Sequence, residues 1–161
     1  MTIFVGTHVN KVDRKGRVSV PADFRALLGE PAYFFAFPSF VHRGIECRTG
    51  SFMESLSETV HGLDLFSDEQ DNLSDLIFAS SHTLGIDGDG RIILPEPLRT
   101  HAGIKEKSSF VGKGKTFQIW EPLEHDQFQT QARERARADR LALRQRPQGS
   151  GPTPDSMENG T

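Results

Sequence analysis

The feature that most constrains this chain is a stretch that occurs twice. Residues 12–25 read VDRKGRVSVPADFR and residues 86–99 read IDGDGRIILPEPLR. At a constant offset of 74, Asp13, Gly16, Arg17, Pro21 and Arg25 fall on Asp87, Gly90, Arg91, Pro95 and Arg99. The match extends to His8 on His82 and Gly29 on Gly103, seven identities over 22 positions without a gap. Val12/Ile86, Val18/Ile92, Val20/Leu94 and Phe24/Leu98 keep the apolar pattern. A repeat of this kind means that two supersecondary units share one core. About fifty residues of such a unit bury too little surface to stand alone, so the two must complete each other.

Each unit has the same local grammar. Residues 3–13 are rich in Ile, Phe, Val and Thr, which predicts a strand. Arg14-Lys15-Gly16 is a tight loop, with Gly16 supplying a positive φ. Arg17 to Val20 is the return strand, Val18 and Val20 on one face and Arg17 and Ser19 on the other. Pro21 stops it and suits the first turn of a helix, whose apolar face is Phe24, Leu27 and Leu28. Gly29 and Pro31 end that helix. Strands follow at Tyr33–Phe37 and Ile45–Arg48. In the second unit Gly88-Asp89-Gly90 replaces the loop, with strands at 109–112 and 116–120. The aromatic strand 33–37 is expected to face Phe110, Phe117 and Trp120.

The chain is expected to divide into a first repeat (1–50), an acidic helical connector (51–81), a second repeat (82–128), a charged helix (129–146) and a disordered tail (147–161). Ser51-Phe52-Met53-Glu54 has the form of a capping box, and Ser67 to Gln70 offers a second cap. From Pro147 on, Pro, Gly and Ser dominate and no core can form.

Charge is unevenly placed. The net charge is −3. Residues 1–50 carry seven Lys/Arg against four Asp/Glu; residues 51–81 carry seven acids and no Lys or Arg; residues 82–120 carry six bases against four acids. An anion-binding face therefore belongs to the repeats. No apolar run approaches the ~20 residues that span a bilayer, and no basic-then-apolar leader is visible, which predicts a soluble, cytoplasmic protein without a membrane partner. Cys47 is the single cysteine, expected as a packed thiol. The six histidines show no zinc spacing, IDGDG lacks the later ligands of a calcium loop, and GKGK lacks the order of a phosphate loop. No catalytic residue, metal or cofactor is expected. His8 and His82, matched by the repeat, are expected to share a structural hydrogen bond.

What remains is a basic β-ribbon. Lys11, Arg14, Lys15 and Arg17 crowd the first hairpin, and a ribbon carrying donors on its exposed face suits the DNA major groove. Arg17 and Arg91 offer planar forks for guanine or phosphate. Asp13 and Asp87 have a structural task beside Gly16 and Gly90: accepting turn amides and orienting the Arg four residues on. The second loop has exchanged Arg14 and Lys15 for Gly88 and Asp89, so the first repeat is expected to grip DNA harder.

The doubled form Asp-x-x-Gly-Arg-x-x-x-Pro resembles the MraZ family of bacterial transcriptional regulators, and more broadly the AbrB-type swapped-hairpin DNA-binding domain. IFASSHTLGIDGDGRIILPEPLRTHAGI followed by FVGKGKTFQIWEP resembles that family's second half almost throughout, and the likeness covers about residues 1–128. It implies an α+β, mainly β fold: a double swapped-hairpin β-barrel from two repeats with short flanking helices. It also implies Arg25 and Arg99 as part of the DNA face. Further, it implies a ring of several subunits on promoter direct repeats of double-stranded DNA, a nucleoid location, and repression of the division and cell-wall gene cluster with the protein's own promoter. The alternative is an AbrB-type antitoxin of a toxin–antitoxin pair.

Overall fold

The computed structural model describes residues 3–64 and 66–145. The tail from Pro147, expected to be disordered, lies outside the described residues. In chain order the elements are β1 (Thr7–Lys11), β2 (Arg17–Ser19), α1 (Ala22–Leu27), β3 (Tyr33–Pro38), β4 (Ile45–Arg48), α2 (Gly50–His61) and α3 (Asp68–Ser74), then β5 (His82–Gly85), β6 (Arg91–Ile93), α4 (Glu96–Ala102), β7 (Lys107–Gly112), β8 (Phe117–Trp120) and α5 (Pro122–Gln145). The chain divides after His125 into two compact units. The first holds the first repeat and the second repeat as far as His125; the second unit begins at Asp126 and, among the described residues, is helical to Gln145.

The first unit is α+β and mainly antiparallel. One sheet has six strands in the order β1-β7-β8-β4-β3-β5, and β2 and β6 form a separate two-stranded ribbon. Among the described residues no closed barrel is formed, which corrects the expected architecture. The reason lies in where the hairpin arms go. Each turn forms as expected: Gly16 N–H donates to the Asp13 carbonyl at 3.0 Å, and Gly90 N–H to the Asp87 carbonyl at 3.0 Å. The arms then part after the single bridge Val12↔Val18. Thr7 to Lys11 pairs with Val111 to Lys107 of the second repeat, and Arg17 to Ser19 pairs with Ile93 to Arg91. Proline follows closely on both return strands and lacks the N–H needed to extend a ladder, so these strands stay short.

The core lies between sheet, ribbon and the two short helices. Phe24 of α1 meets Phe4 at 5.2 Å, Phe117 at 5.2 Å and Phe110 at 6.4 Å between ring centroids. Phe34 of β3 meets Phe117 at 5.0 Å. Tilted and edge-on geometries at this range add attraction beyond area burial. Val18, Val20, Ile92, Leu94 and Leu98 complete the cluster from both repeats. Phe34 of the aromatic strand meets Phe117, one of the expected second-repeat rings, and side chains alternate across a strand. Phe35 and Phe37 turn to the opposite face, where Phe37 is buried with Met53, Val60 and Ile77. Trp120 stacks on His42 at 4.5 Å instead. His8 is held edge-on against the Phe24 ring at 5.4 Å, a ring contact where a hydrogen bond was expected.

The connector forms the two expected helices with one shift. Thr49, not Ser51, caps α2, its hydroxyl accepting from Phe52 N–H at 3.3 Å. Ser67 caps α3 by accepting from Gln70 N–H at 3.2 Å. One π-helical turn, Asp75–Ala79, continues α3 and was not legible in the sequence. Among the described residues no helix is long and apolar enough to cross a membrane.

Phe117 is packed by Phe4, Phe24, Phe34 and Phe110 from both repeats. Phe117→Ala is expected to cost about 3–5 kcal/mol in urea denaturation. Phe40→Ala, at an exposed loop position, is expected to stay within about 0.5 kcal/mol.

Candidate nucleic-acid interface

The pairing of β2 with β6 places Arg17 opposite Ile93 and Arg91 opposite Ser19. Val18 and Ile92, opposite each other, point into the core, each 1% exposed. By alternation Arg17, Ser19, Arg91 and Ile93 share the outward face. Because the ribbon is antiparallel, the turn of one repeat lies at one end and the turn of the other at the opposite end. The ends are tied across: Val20 N–H donates to the Gly90 carbonyl at 2.9 Å, and Leu94 N–H to the Gly16 carbonyl at 2.8 Å.

In the first turn, one oxygen of Asp13 accepts the N–H groups of Lys15 and Arg17, both at 2.9 Å. The other accepts Arg17 Nε at 2.7 Å. In the second turn, Asp87 accepts the N–H groups of Asp89 at 2.9 Å and Arg91 at 3.0 Å. Arg91 stands 3.6 Å from the Asp87 carboxylate and donates through Nη2 to Asp89 at 3.1 Å. Both turn aspartates are held below the usual carboxylate value. The leading cause is the backbone N–H of Arg17 for Asp13 and of Arg91 for Asp87. The carboxylates thus organise the loop and aim the arginines. Arg17 pairs closely with Asp13 and its charge also reaches Asp87, whereas Arg91 forms ion pairs with both Asp87 and Asp89.

The helix arginines do something the sequence did not disclose. Gly16 and Gly90 have φ of 82° and 79°. A Cβ at Gly16 would lie 3.4 Å from the Arg99 guanidinium carbon, and one at Gly90 would overlap the Arg25 guanidinium. Each helix arginine therefore packs over the turn glycine of the other repeat. Both are half-buried, and the Nε of each is buried without a hydrogen-bond partner.

Lys11, Arg14 and Lys15 are exposed. Lys11 sits directly opposite Lys107, which is also exposed. Like charges facing across a ladder repel, and a bound anion would relieve them. Lys107 is the basic residue that sequence reasoning missed, because only the β1–β7 pairing brings it to this edge. Cys47 is fully buried and burial pushes its thiol up, away from the reactive thiolate. Among the described residues no cluster of His, Cys, Asp or Glu could hold a metal ion.

Comparison with known proteins points the same way. A family model described as "MraZ protein, putative antitoxin-like" matches residues 77–145. Proteins named transcriptional regulator MraZ from Rickettsia rickettsii (strain Sheila Smith) and Rickettsia africae (strain ESF-5) are each 42% identical over 146 residues. These alignments cover 89% of this chain and 98% of the relative. That of Rickettsia bellii (strain OSU 85-389) is 42% identical over 147 residues with the same coverage.

Gly90→Ala combines a left-handed backbone with a clash against Arg25. It is expected to destabilise by at least about 1–2 kcal/mol, while Gly88→Ala, with open space and no positive φ, is tolerated in the same thermal melt. Because their folded values are depressed, Asp13 and Asp87 contribute stability that is complete above the ordinary value of 3.8 and lost as pH falls through the lower folded values. Carboxyl-carbon NMR titration should show both titrating below 3.8; a midpoint at or above it would remove this role for the turn amides.

Proposed function

This chain belongs to the MraZ family, and we propose that it is a DNA-binding transcriptional regulator that reads duplex DNA through the β2–β6 ribbon and the first repeat's turn. The observation that carries this is the pairing of the two return strands, which puts Arg17 and Arg91 on one outward face with a turn at each end. A two-stranded ribbon fits the major groove, where arginine can take guanine O6 and N7 with both arms of its fork. In this reading Lys11, Arg14 and Lys15, all exposed, contact phosphates. The exchange of strands between repeats supports a swapped-hairpin reading of the domain. Arg25 and Arg99 act on DNA through the turns they brace.

The two ends are unequal. The first turn carries Arg14 and Lys15; the second carries Gly88 and Asp89, and Arg91 is shared by two carboxylates. The first repeat supplies most of the grip and the second completes the fold. With about four phosphate contacts, one chain would hold non-specific DNA only at roughly 10⁻⁴ to 10⁻⁶ M. A protein of net charge −3 therefore needs several ribbons on one DNA. A ring of subunits on promoter direct repeats supplies them, since linking weak sites gains about 10²–10⁴. The regulated unit in this reading is the division and cell-wall gene cluster, repressed together with the protein's own promoter at the nucleoid. The description "antitoxin-like" attached to the matching family model keeps an AbrB-type antitoxin as second reading. That reading requires a toxin that the protein neutralises in addition to binding DNA.

Footprinting on DNA upstream of the protein's own gene tests the first reading. Arg17→Ala is expected to weaken the footprint by about 1–3 kcal/mol, roughly 5- to 150-fold. Undiminished protection by Arg17→Ala would sink the ribbon as the reading head.

A further inference from the structure

The second unit carries a charge pattern that the ribbon does not explain. Between Asp126 and Gln145 the helix α5 bears Arg133, Arg135, Arg137, Arg140 and Arg144 against Asp126, Glu134 and Asp139. At roughly 100° per residue, Arg133, Arg137, Arg140 and Arg144 fall within about 60° of arc. They make one stripe about 16 Å long at 1.5 Å per residue. Glu134 and Asp139 project from other sides of the helix. All four arginines are exposed, and among the described residues none forms an ion pair. Four aligned, unneutralised guanidinium groups repel one another along the rod unless an anion of comparable length lies against them.

We infer that this arginine stripe is a second DNA contact, binding the phosphate backbone of duplex DNA without reading sequence. The inference rests on the DNA-binding reading above. Phosphates recur along both strands of a duplex and wind about its axis, so a rod of this length laid against the backbone brings its four arginines within reach of phosphates of one or both strands. Arginine forks match phosphate oxygens, and no aromatic or apolar residue lies in the stripe to read a base. A membrane surface is a poorer match, because Leu141 and Leu143 lie on nearly opposite sides of the helix and between Gln129 and Gln145 the remaining apolar residues are alanines. The acidic connector of another molecule is a poorer match. Three of its carboxylates, Asp68, Glu69 and Asp71, sit in the first turn of α3, where they already stabilise the helix start. Glu54 and Glu58 on α2 span little more than one turn.

The test is the salt dependence of full-length protein on a duplex of unrelated sequence. Arg133→Gln, Arg137→Gln, Arg140→Gln and Arg144→Gln are combined, since glutamine nearly matches arginine in helix propensity and circular dichroism can verify that the helix remains. Removing four phosphate contacts is expected to reduce the log–log salt slope by about 3.6 per bound chain. The ratio of own-promoter to unrelated-DNA affinity should stay constant. Arg135→Gln, off the stripe, should leave the slope within about one unit. A quadruple variant that binds with a slope within about one unit of wild type overturns the inference alone. Loss of assembly in sedimentation velocity with that same unchanged slope assigns the stripe to another molecule of the chain and overturns it as well. Failure of the wild type to bind either duplex overturns the DNA-binding reading, and this inference with it.

Discussion

The short antiparallel pairing of β2 with β6 is the interaction on which the rest of this structure depends. Only three residues of each strand take part, Arg17 to Ser19 against Ile93 to Arg91. Yet this pairing separates each hairpin's two arms and sends β1 to the second repeat's β7. Neither repeat keeps a core of its own as a result. Phe24 from the first helix packs on Phe110 and Phe117 from the second repeat, and Leu98 from the second helix enters the same cluster. A cross-repeat core of this kind buries what fifty residues alone could not.

The same exchange sets the chemistry of the outer face. It brings two arginines, 74 residues apart in sequence, onto one ribbon, and it lays each helix arginine over the other repeat's turn glycine. The turn aspartates then fix the loop amides and the arginine side chains together. An arginine held in this way loses less conformational freedom on binding than a free one. The divergence of the loops is therefore meaningful: the frame is kept in both repeats, while charge is concentrated in one.

A second cross-repeat link lies on the opposite face of the sheet. Glu46 of β4 is 9% exposed and takes Arg48 at 2.7 Å, Gln118 of β8 at 3.0 Å and His42 at 3.1 Å. Trp120 N–H donates to Gln118 at 2.8 Å. A buried carboxylate is tolerable only when its lone pairs are satisfied in this manner. His42 is held below the usual imidazole value, first by desolvation, although the Glu46 charge opposes that shift. The network stitches β4 to β8, so the two repeats are joined through polar contacts here and through apolar ones in the core.

What the sequence determined by itself was local and periodic. The doubled Asp-x-x-Gly-Arg, the prolines that end the return strands, the alternation of Val18 and Val20 and the cap at Ser67 each depend on neighbours within a few residues. All appear where their chemistry requires. The shared family was legible too, because two motifs at one offset are far more specific than one. Tertiary structure alone decided which strand pairs with which. A turn of given residues closes equally well whether its arms continue together or part, so nothing local distinguishes a hairpin from an exchange. From that choice follow the open six-stranded sheet in place of a barrel, the pairing of Lys11 with Lys107, and the packing of Arg25 over Gly90 and of Arg99 over Gly16. Strand partnership is set by the burial of a whole core, an energy summed over residues far apart in the chain, and no window of sequence contains it.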